Sequence, residues 1–232
     1  MSLVRRGLRP ELLPLEAALI VGIFWGDEAG YVPLSKTPFL FLVAWGSLRL
    51  RGLRWRDVGL RIPERWPRLA GVGIAWGVAM WLLEFFVTMP LLRQWLGYWP
   101  DLTAFNDIVG NAALLAVYLA LNWLLAAFGE ETVWRGYALP RAAEFFGSGP
   151  RHWAFALILV NVAFGLAHLY QGPSGVIQAT VGGVLLGVLY LVTGRNLVAP
   201  ILAHGIGNSI DFTVMYLGLY PGVGTLGPAG GS

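Results

Sequence analysis

The feature that most constrains this chain is a series of apolar segments, most of them long enough to cross a lipid bilayer. A crossing takes about 20 mostly apolar residues. Seven such windows lie at roughly 12–32, 37–50, 69–92, 108–128, 152–171, 175–193 and 197–219. Only 12% of the residues are charged, against about 25% in soluble domains. Because lipid offers the backbone no hydrogen bonds, the spans must satisfy their own. The sequence therefore predicts an all-α, polytopic transmembrane bundle of about seven to eight helices.

The distribution of basic residues predicts the orientation of this bundle. Lys and Arg in short loops are retained on the cytoplasmic side. With a cytoplasmic N-terminus, 14 of the 16 basic residues fall on that side, and only Lys36 and Arg93 lie in outer loops. We predict a multi-pass integral protein of a prokaryotic cell membrane with its N-terminus in the cytoplasm. The outer loops hold the acidic residues Asp27, Glu28, Asp101 and Asp107.

No linker, repeat or low-complexity segment divides the chain before its end. We interpret residues 1–220 as a single integral membrane domain and residues 221–232, PGVGTLGPAGGS, as a flexible tail. The basic stretch at 49–68 lies between two spans with Trp interleaved, which favours contact with anionic lipid over nucleic-acid binding. The chain has no cysteine, so disulfides, thiol nucleophiles and thiolate metal sites are excluded.

Two adjacent glutamates follow an apolar run in LNWLLAAFGEETVWRGYALPR, residues 121–141. A charged group in hydrocarbon is costly and usually marks a functional site. Neighbouring helical residues point about 100° apart, so Glu130 and Glu131 face different surroundings. Arg135 lies four residues after Glu131, the spacing of an intrahelical ion pair. Glu130 is then left to meet a group on another helix.

Two later helices also carry polar residues with helical spacing, in NVAFGLAHLY and APILAHGIGNSIDF. A carboxylate shielded from water can act as a general base while an imidazole relays the proton. A second imidazole and a carboxamide one turn away can both donate to a developing oxyanion. These groups suffice for the attack of water on an amide. The residues concerned are Asn161, Phe164, His168, His204, Asn208 and Asp211.

At these positions the sequence resembles the CPBP family, the CAAX-protease and bacteriocin-processing (Abi) intramembrane proteases, which are related to the CAAX prenyl-protein endopeptidases. The three motifs stand in order: E-E-x-x-x-R as EETVWR, F-x-x-x-H as FGLAH, and H-x-x-x-N as HGIGN. The resemblance covers about residues 105–215. It implies an intramembrane endopeptidase that acts, in contact with membrane lipid, on a membrane-associated protein or peptide with or without a prenyl group.

The resemblance also implies a role for each motif residue. Glu130 and His168 would activate the water, and His204 with Asn208 would form the oxyanion hole. No cofactor would be required. The supporting residues would be Glu131, Arg135 and Phe164.

The same residues are compatible with three other interpretations. Glu130, His168 and His204 could ligate Zn²⁺ with water in the fourth position, although the chain lacks H-E-x-x-H and such a site would leave no obvious separate base. A non-catalytic immunity or scaffold protein could keep the groups as a polar network. A proton-relaying transporter is less favoured because the sequence has no internal symmetry.

Three further expectations concern the surroundings of the site. Because Glu130 is predicted at the cytoplasmic end of its helix, we expect the site to open toward the cytoplasm. We expect Glu84, in WLLEFFVTMP, to pair with an arginine or to line the cavity. Asp211 falls on the same helix face as His204, so we expect contact between them.

Overall fold

The computed structural model describes residues 9–147 and 149–224, and within these ranges it consists of helices and short connections without β-strands. The all-α prediction is confirmed for this part of the chain. Arg5, Arg6 and residues 225–232 of the predicted tail lie outside it. The helices are α1 Leu13–Glu28, α2 Thr37–Leu50, α3 Trp66–Leu83, α4 Met89–Leu96, α5 Ala112–Leu121, α6 Leu139–Phe146, α7 Pro150–Leu166, α8 Gly172–Val192 and α9 Val198–Tyr216.

Two pairs of helices are joined without interruption by π-helical turns, in which each amide bonds to the carbonyl five residues earlier. Glu84–Thr88 joins α3 to α4, and Asn122–Ala138 joins α5 to α6. Three continuous helical stretches in the described residues are long and apolar enough to cross a membrane: Trp66–Leu96, Ala112–Phe146 and Leu169–Val192. Helices α2 and α7 are apolar but shorter. The chain is thus an integral membrane protein, while a count of seven to eight spans stays a prediction.

The fourth predicted window differs most from the structure. It was expected to end at residue 128, yet the helical stretch continues to Phe146. The charged residues Glu131 and Arg135 do not end this helix because both are buried against neighbouring helices. Their charges are therefore accommodated inside the bundle, away from lipid.

The outer surface of the long helices is apolar. Large hydrophobic side chains are exposed along it, among them Phe86, Val117, Leu124 and Ile158. A contiguous apolar surface of this kind is unfavourable in water but costs nothing against lipid tails. The surface thus agrees with a position in the membrane.

Helices α3 and α9 are in close contact through small residues. A Cβ atom added at Gly73 would lie 2.7 Å from the carbonyl oxygen of Ala199, and one at Gly77 would lie 2.5 Å from that of Ala203. Only glycine allows the backbones to approach so closely. This contact fixes the position of α9, which carries the third motif.

The connections between helices gather at two ends of the bundle. At the end that we call the arginine end, residues 51–65 meet residues 193–197: the Leu197 amide donates to the Gly59 carbonyl (3.0 Å), and the Asn196 side chain donates to the Arg61 carbonyl (2.9 Å). The Arg195 guanidinium lies over the Trp153 ring of α7, 4.6 Å from its centre.

At the other end, which we call the opposite end, residues 97–111, 167–171 and 217–224 come together. The Asp101 amide donates to the Gln171 carbonyl (3.0 Å). The Gly110 amide likewise donates to the Tyr216 carbonyl (2.9 Å). Of the predicted tail, residues 221–224 are described, and Val223 is buried within this end.

Candidate active site

A cavity of about 270 Å³ lies among α3, α7, α8, α9 and the long stretch Ala112–Phe146. Its lining includes residues from all three sequence motifs. Glu130 comes from the first motif, His168 from the second, and His204 and Asn208 from the third. The fold thus brings the four predicted catalytic side chains to one cavity.

The predicted ion pair between Glu131 and Arg135 is present at the centre of the bundle. Arg135 Nη1 donates to Glu131 Oε1 at 2.8 Å, and the two side chains are 1% and 0% exposed. Arg135 Nη2 also donates to Asn161 Oδ1 (3.1 Å) and to the Gly183 carbonyl (2.9 Å). The guanidinium lies over the Phe164 ring, 4.6 Å from its centre. Arg135 therefore ties the first motif to α7 and α8, and its buried charge is compensated by good hydrogen-bond geometry.

His204 contacts the same carboxylate from α9. Its Nδ1 lies 2.8 Å from Glu131 Oε1. An ionised carboxylate only accepts hydrogen bonds, so Nδ1 carries the proton and Nε2 is left for other partners. The sequence predicted one partner for Glu131, whereas the structure gives it two.

His168 lies just beyond the last residue of α7, Leu166. Its Nδ1 is 2.9 Å from the Phe164 carbonyl oxygen. A carbonyl only accepts, so Nδ1 carries a proton here as well and the neutral ring has its lone pair on Nε2. Glu130 lines the same cavity as this ring. The pair can therefore hold a water molecule between a carboxylate and an unprotonated ring nitrogen.

The alternative zinc site requires a particular arrangement of its three donor side chains. It needs Glu130, His168 and His204 to converge on one ion at bonding distance. In the part of the chain that the structure describes, no three His, Asp or Glu side chains have this arrangement. The contact of His204 Nδ1 with Glu131 leaves Nε2 available in either case. The absence of a metal from the reaction stays a prediction.

Two further acidic residues, Glu84 and Asp211, line the cavity. Glu84 stands at the start of the first π-helical turn with Gln178 in hydrogen-bonding reach, which confirms its expected position at the cavity. Asp211 Oδ1 accepts from Trp81 Nε1 at 2.9 Å. The expected contact between Asp211 and His204 is wrong, since seven helical residues separate their backbones by about 10 Å along α9.

Asn122 is a supporting residue that the sequence reasoning did not single out. Its side-chain amide donates to the Gly205 carbonyl (2.9 Å) and to Ser209 Oγ (3.2 Å) on α9. The bonds hold α9 against the long stretch, on the helix that bears His204. The signal was present, because Asn122 is an uncharged polar residue in the otherwise apolar run ALNWLLAAF.

The expected position of Glu130 at the end of its helix is also wrong. Glu130 lies near the middle of the stretch Ala112–Phe146. The cavity reaches the opposite end, whereas no residue of 51–65 or 193–197 is among its lining. The lining at the opposite end consists of Leu102, Phe105, Tyr170, Gln171 and Tyr220.

Comparison with known proteins points to the same segment as the cavity does. The family model described as type II CAAX prenyl endopeptidase Rce1-like matches residues 112–210. The searches of curated proteins and of solved structures gave no match. The matched segment begins at the first residue of α5 and ends after Asn208, so it contains all three motifs. Residues 112–210 are therefore similar to the Rce1-like family of CAAX prenyl endopeptidases, which confirms the resemblance predicted from the motifs.

Proposed function

We propose that this chain is an intramembrane endopeptidase that hydrolyses a peptide bond with water activated by Glu130 and His168. The observation that carries the proposal is the convergence of Glu130, His168, His204 and Asn208 on one cavity. The match of residues 112–210 to a CAAX endopeptidase family model supports the reaction class.

The two adjacent glutamates are well suited to different tasks. Glu131 is engaged by Arg135 and His204. Glu130 lines the cavity together with His168. In the proposed first step, Glu130 takes a proton from a water molecule that also hydrogen-bonds to Nε2 of His168. The resulting hydroxide attacks the carbonyl carbon of the scissile bond, and the C=O becomes an oxyanion.

The oxyanion then needs hydrogen-bond donors. The Asn208 side-chain amide supplies one from α9, one turn from His204. His204, whose Nδ1 is held by Glu131, supplies the second donor through an Nε2–H. When the tetrahedral intermediate collapses, the C–N bond breaks and the proton held by Glu130 passes to the leaving nitrogen. The products are a carboxylate and an amine.

The proposed reaction uses no metal ion. The candidate ligands support this, because they do not converge on one position in the described residues. Activity should accordingly survive treatment with a strong chelator. Loss of activity on chelation with recovery on added Zn²⁺ would contradict this part of the proposal.

The substrate that we propose is a membrane-associated protein or peptide, with or without a prenyl group, cleaved in contact with membrane lipid. The cavity wall includes several apolar side chains that can receive apolar substrate residues. Relatives of the CAAX type suggest the prenylated form, and a prokaryotic cell membrane is the proposed location. The apolar lining residues are Met80, Leu102, Phe105, Phe212 and Met215.

The test is a cleavage assay of the protein in liposomes against a mixed set of prenylated and unmodified membrane peptides. Glu130→Gln keeps the size of the side chain but removes the base, so kcat should fall about 10²–10⁴-fold. Glu28→Gln is the matched control, because Glu28 is an exposed carboxylate outside the cavity. It should cleave like the parent. Parent-like cleavage by Glu130→Gln would refute the mechanism, and absence of cleavage by the parent itself would favour the non-catalytic scaffold.

A further inference from the structure

The position of the cavity relative to the two ends of the bundle determines from which end a substrate can enter. The cavity is lined by residues of the opposite end, such as Leu102, Gln171 and Tyr220, and by no residue of 51–65 or 193–197. Asp211 and Met215, from the part of α9 nearest the opposite end, line it too. A substrate segment therefore reaches Glu130 from the opposite end.

Charge is distributed unequally between the same two ends. In the described residues, the opposite end, the helix termini beside it and the connection between α1 and α2 contain two basic residues, Lys36 and Arg93, of which Lys36 pairs with Asp27 at 2.6 Å. Arg135 is buried inside the bundle and belongs to neither end. The arginine end and the helix termini beside it contain Arg49, Arg51, Arg54, Arg56, Arg61, Arg65, Arg68, Arg141, Arg151 and Arg195.

Basic residues in short loops remain on the cytoplasmic side during insertion. The excess at the arginine end is large, and most of these side chains lie in or directly beside connections of fewer than 20 residues. The arginine end is then cytoplasmic. The opposite end, with the exposed acids Asp101 and Asp107, is extracytoplasmic.

We infer that the active-site cavity opens on the extracytoplasmic face of the membrane, and that the substrate is a membrane-anchored protein whose scissile bond lies in an extracytoplasmic segment beside the bilayer. Its cleavage rests on the proposed function, whereas the sidedness rests on charge and geometry alone. Of the two substrates proposed above, this sidedness selects the one without a prenyl group, because a C-terminus modified in the cytoplasm would meet the arginine end, which does not line the cavity.

The first arm of the test is thiol labelling in cells whose outer layers have been removed and whose cytoplasmic membrane is intact. The chain contains no cysteine, so a single introduced thiol reports only its own position. Asp107→Cys and Glu64→Cys form a matched pair, because both side chains are exposed and each exchange removes one acid and no arginine. A membrane-impermeant maleimide should label Asp107→Cys directly and Glu64→Cys only after permeabilisation. The reverse pattern would overturn the inference.

The second arm asks whether the cavity itself is reached from the same face. Gln171 lines the cavity but has no role in the proposed mechanism. Gln171→Cys should be labelled from outside, more slowly than Asp107→Cys because the side chain is partly buried. Labelling of Gln171→Cys only after permeabilisation would overturn the inference even if the loops have the expected orientation.

The third arm separates this inference from the proposed function. A substrate peptide is added to one face of sealed vesicles of known orientation. Cleavage from the opposite-end face supports both proposals, and cleavage from the arginine-end face alone refutes the sidedness. Absence of cleavage from both faces counts against the proposed function, while the labelling arms still decide the sidedness.

Discussion

Glu130 and Glu131 are neighbours in the chain but lie in different surroundings. Glu131 is completely buried, pairs with Arg135 and accepts from His204. Glu130 lines the cavity beside His168. Neutralising the two residues should therefore have different effects.

Replacement of Glu131 by Gln should destabilise the fold. It leaves the buried guanidinium of Arg135 without a compensating charge, and breaking a buried pair in this way costs about 3–5 kcal/mol. The loss should be seen as a lower midpoint of thermal unfolding in detergent, together with loss of cleavage.

Glu130→Gln is the comparison variant, and we expect it to lose cleavage without losing stability. Glu130 takes no part in the ion pair with Arg135, so the unfolding midpoint should stay close to that of the parent while cleavage is lost. Equal destabilisation by the two substitutions would show that the proposed division of roles is incorrect.

Asp211 should tolerate replacement by Asn. The side-chain oxygen of Asn can still accept the hydrogen bond from Trp81 Nε1, which is 2.9 Å from Asp211 Oδ1. We expect kcat/KM and the unfolding midpoint to remain near the parent values. A selective loss of kcat with an unchanged midpoint would instead assign Asp211 to the catalytic machinery.

At the scale of elements, the first motif lies in a widened helical segment. In Asn122–Ala138 the amides bond five residues back, as the Leu139 amide does to the Trp134 carbonyl. Thr132 Oγ1 donates to the Phe128 carbonyl at 2.5 Å within this segment. Such π-helical turns are uncommon and concentrate at functional sites. The pairing of Glu131 with Arg135 persists here, although it was predicted for a regular α-helix.

The contact of α8 with α7 and Arg135 depends on Gly183. A Cβ atom there would lie 2.7 Å from Asn161 Oδ1 and 2.9 Å from the Phe164 ring, so Gly183→Ala should cost about 1–3 kcal/mol of stability through overpacking. The neighbouring Gly182 is the control, since its added Cβ would meet only Met80 Cε, at 3.9 Å. Thermal unfolding of the two variants in detergent measures the difference. A Gly183→Ala protein as stable as Gly182→Ala would show that the interface can adjust.

At the scale of the whole molecule, α1 is attached to α2 by a buried ion pair. Arg51 donates through both terminal nitrogens to the Glu16 carboxylate, with one contact of 3.0 Å from Nη2 to Oε2, and Nη1 also donates to Ser47 Oγ at 2.5 Å. Removing one partner of a buried pair leaves an uncompensated charge, so this pair should contribute to holding α1 against α2.

Replacement of Glu16 by Gln should loosen α1 from the remaining bundle. Amide hydrogen exchange in Leu13–Glu28 should accelerate tenfold or more, which corresponds to about 1.4 kcal/mol or more. Glu11→Gln is the control, because Glu11 is exposed and its contact with Arg9 is 3.9 Å long. Unchanged exchange in the Glu16→Gln protein would indicate that apolar packing alone holds α1.

The amino-acid sequence by itself determined the relations that act within one segment. The length and spacing of apolar windows determined the all-α membrane fold, because lipid requires internally bonded backbone. The four-residue spacing determined the Glu131–Arg135 pair. The three motifs identified Glu130, His168, His204 and Asn208, which line the cavity.

Only the tertiary structure decided which distant residues meet. The contact between His204 and Glu131 joins positions 73 residues apart, and that between Trp81 and Asp211 joins positions 130 residues apart. Helical periodicity gives the face of a residue on its own helix but not the rotation or depth of the neighbouring helix. These are set by backbone approach at glycines such as Gly77 and Gly183. For the same reason, the end at which the cavity opens was fixed by the packing of all the helices together.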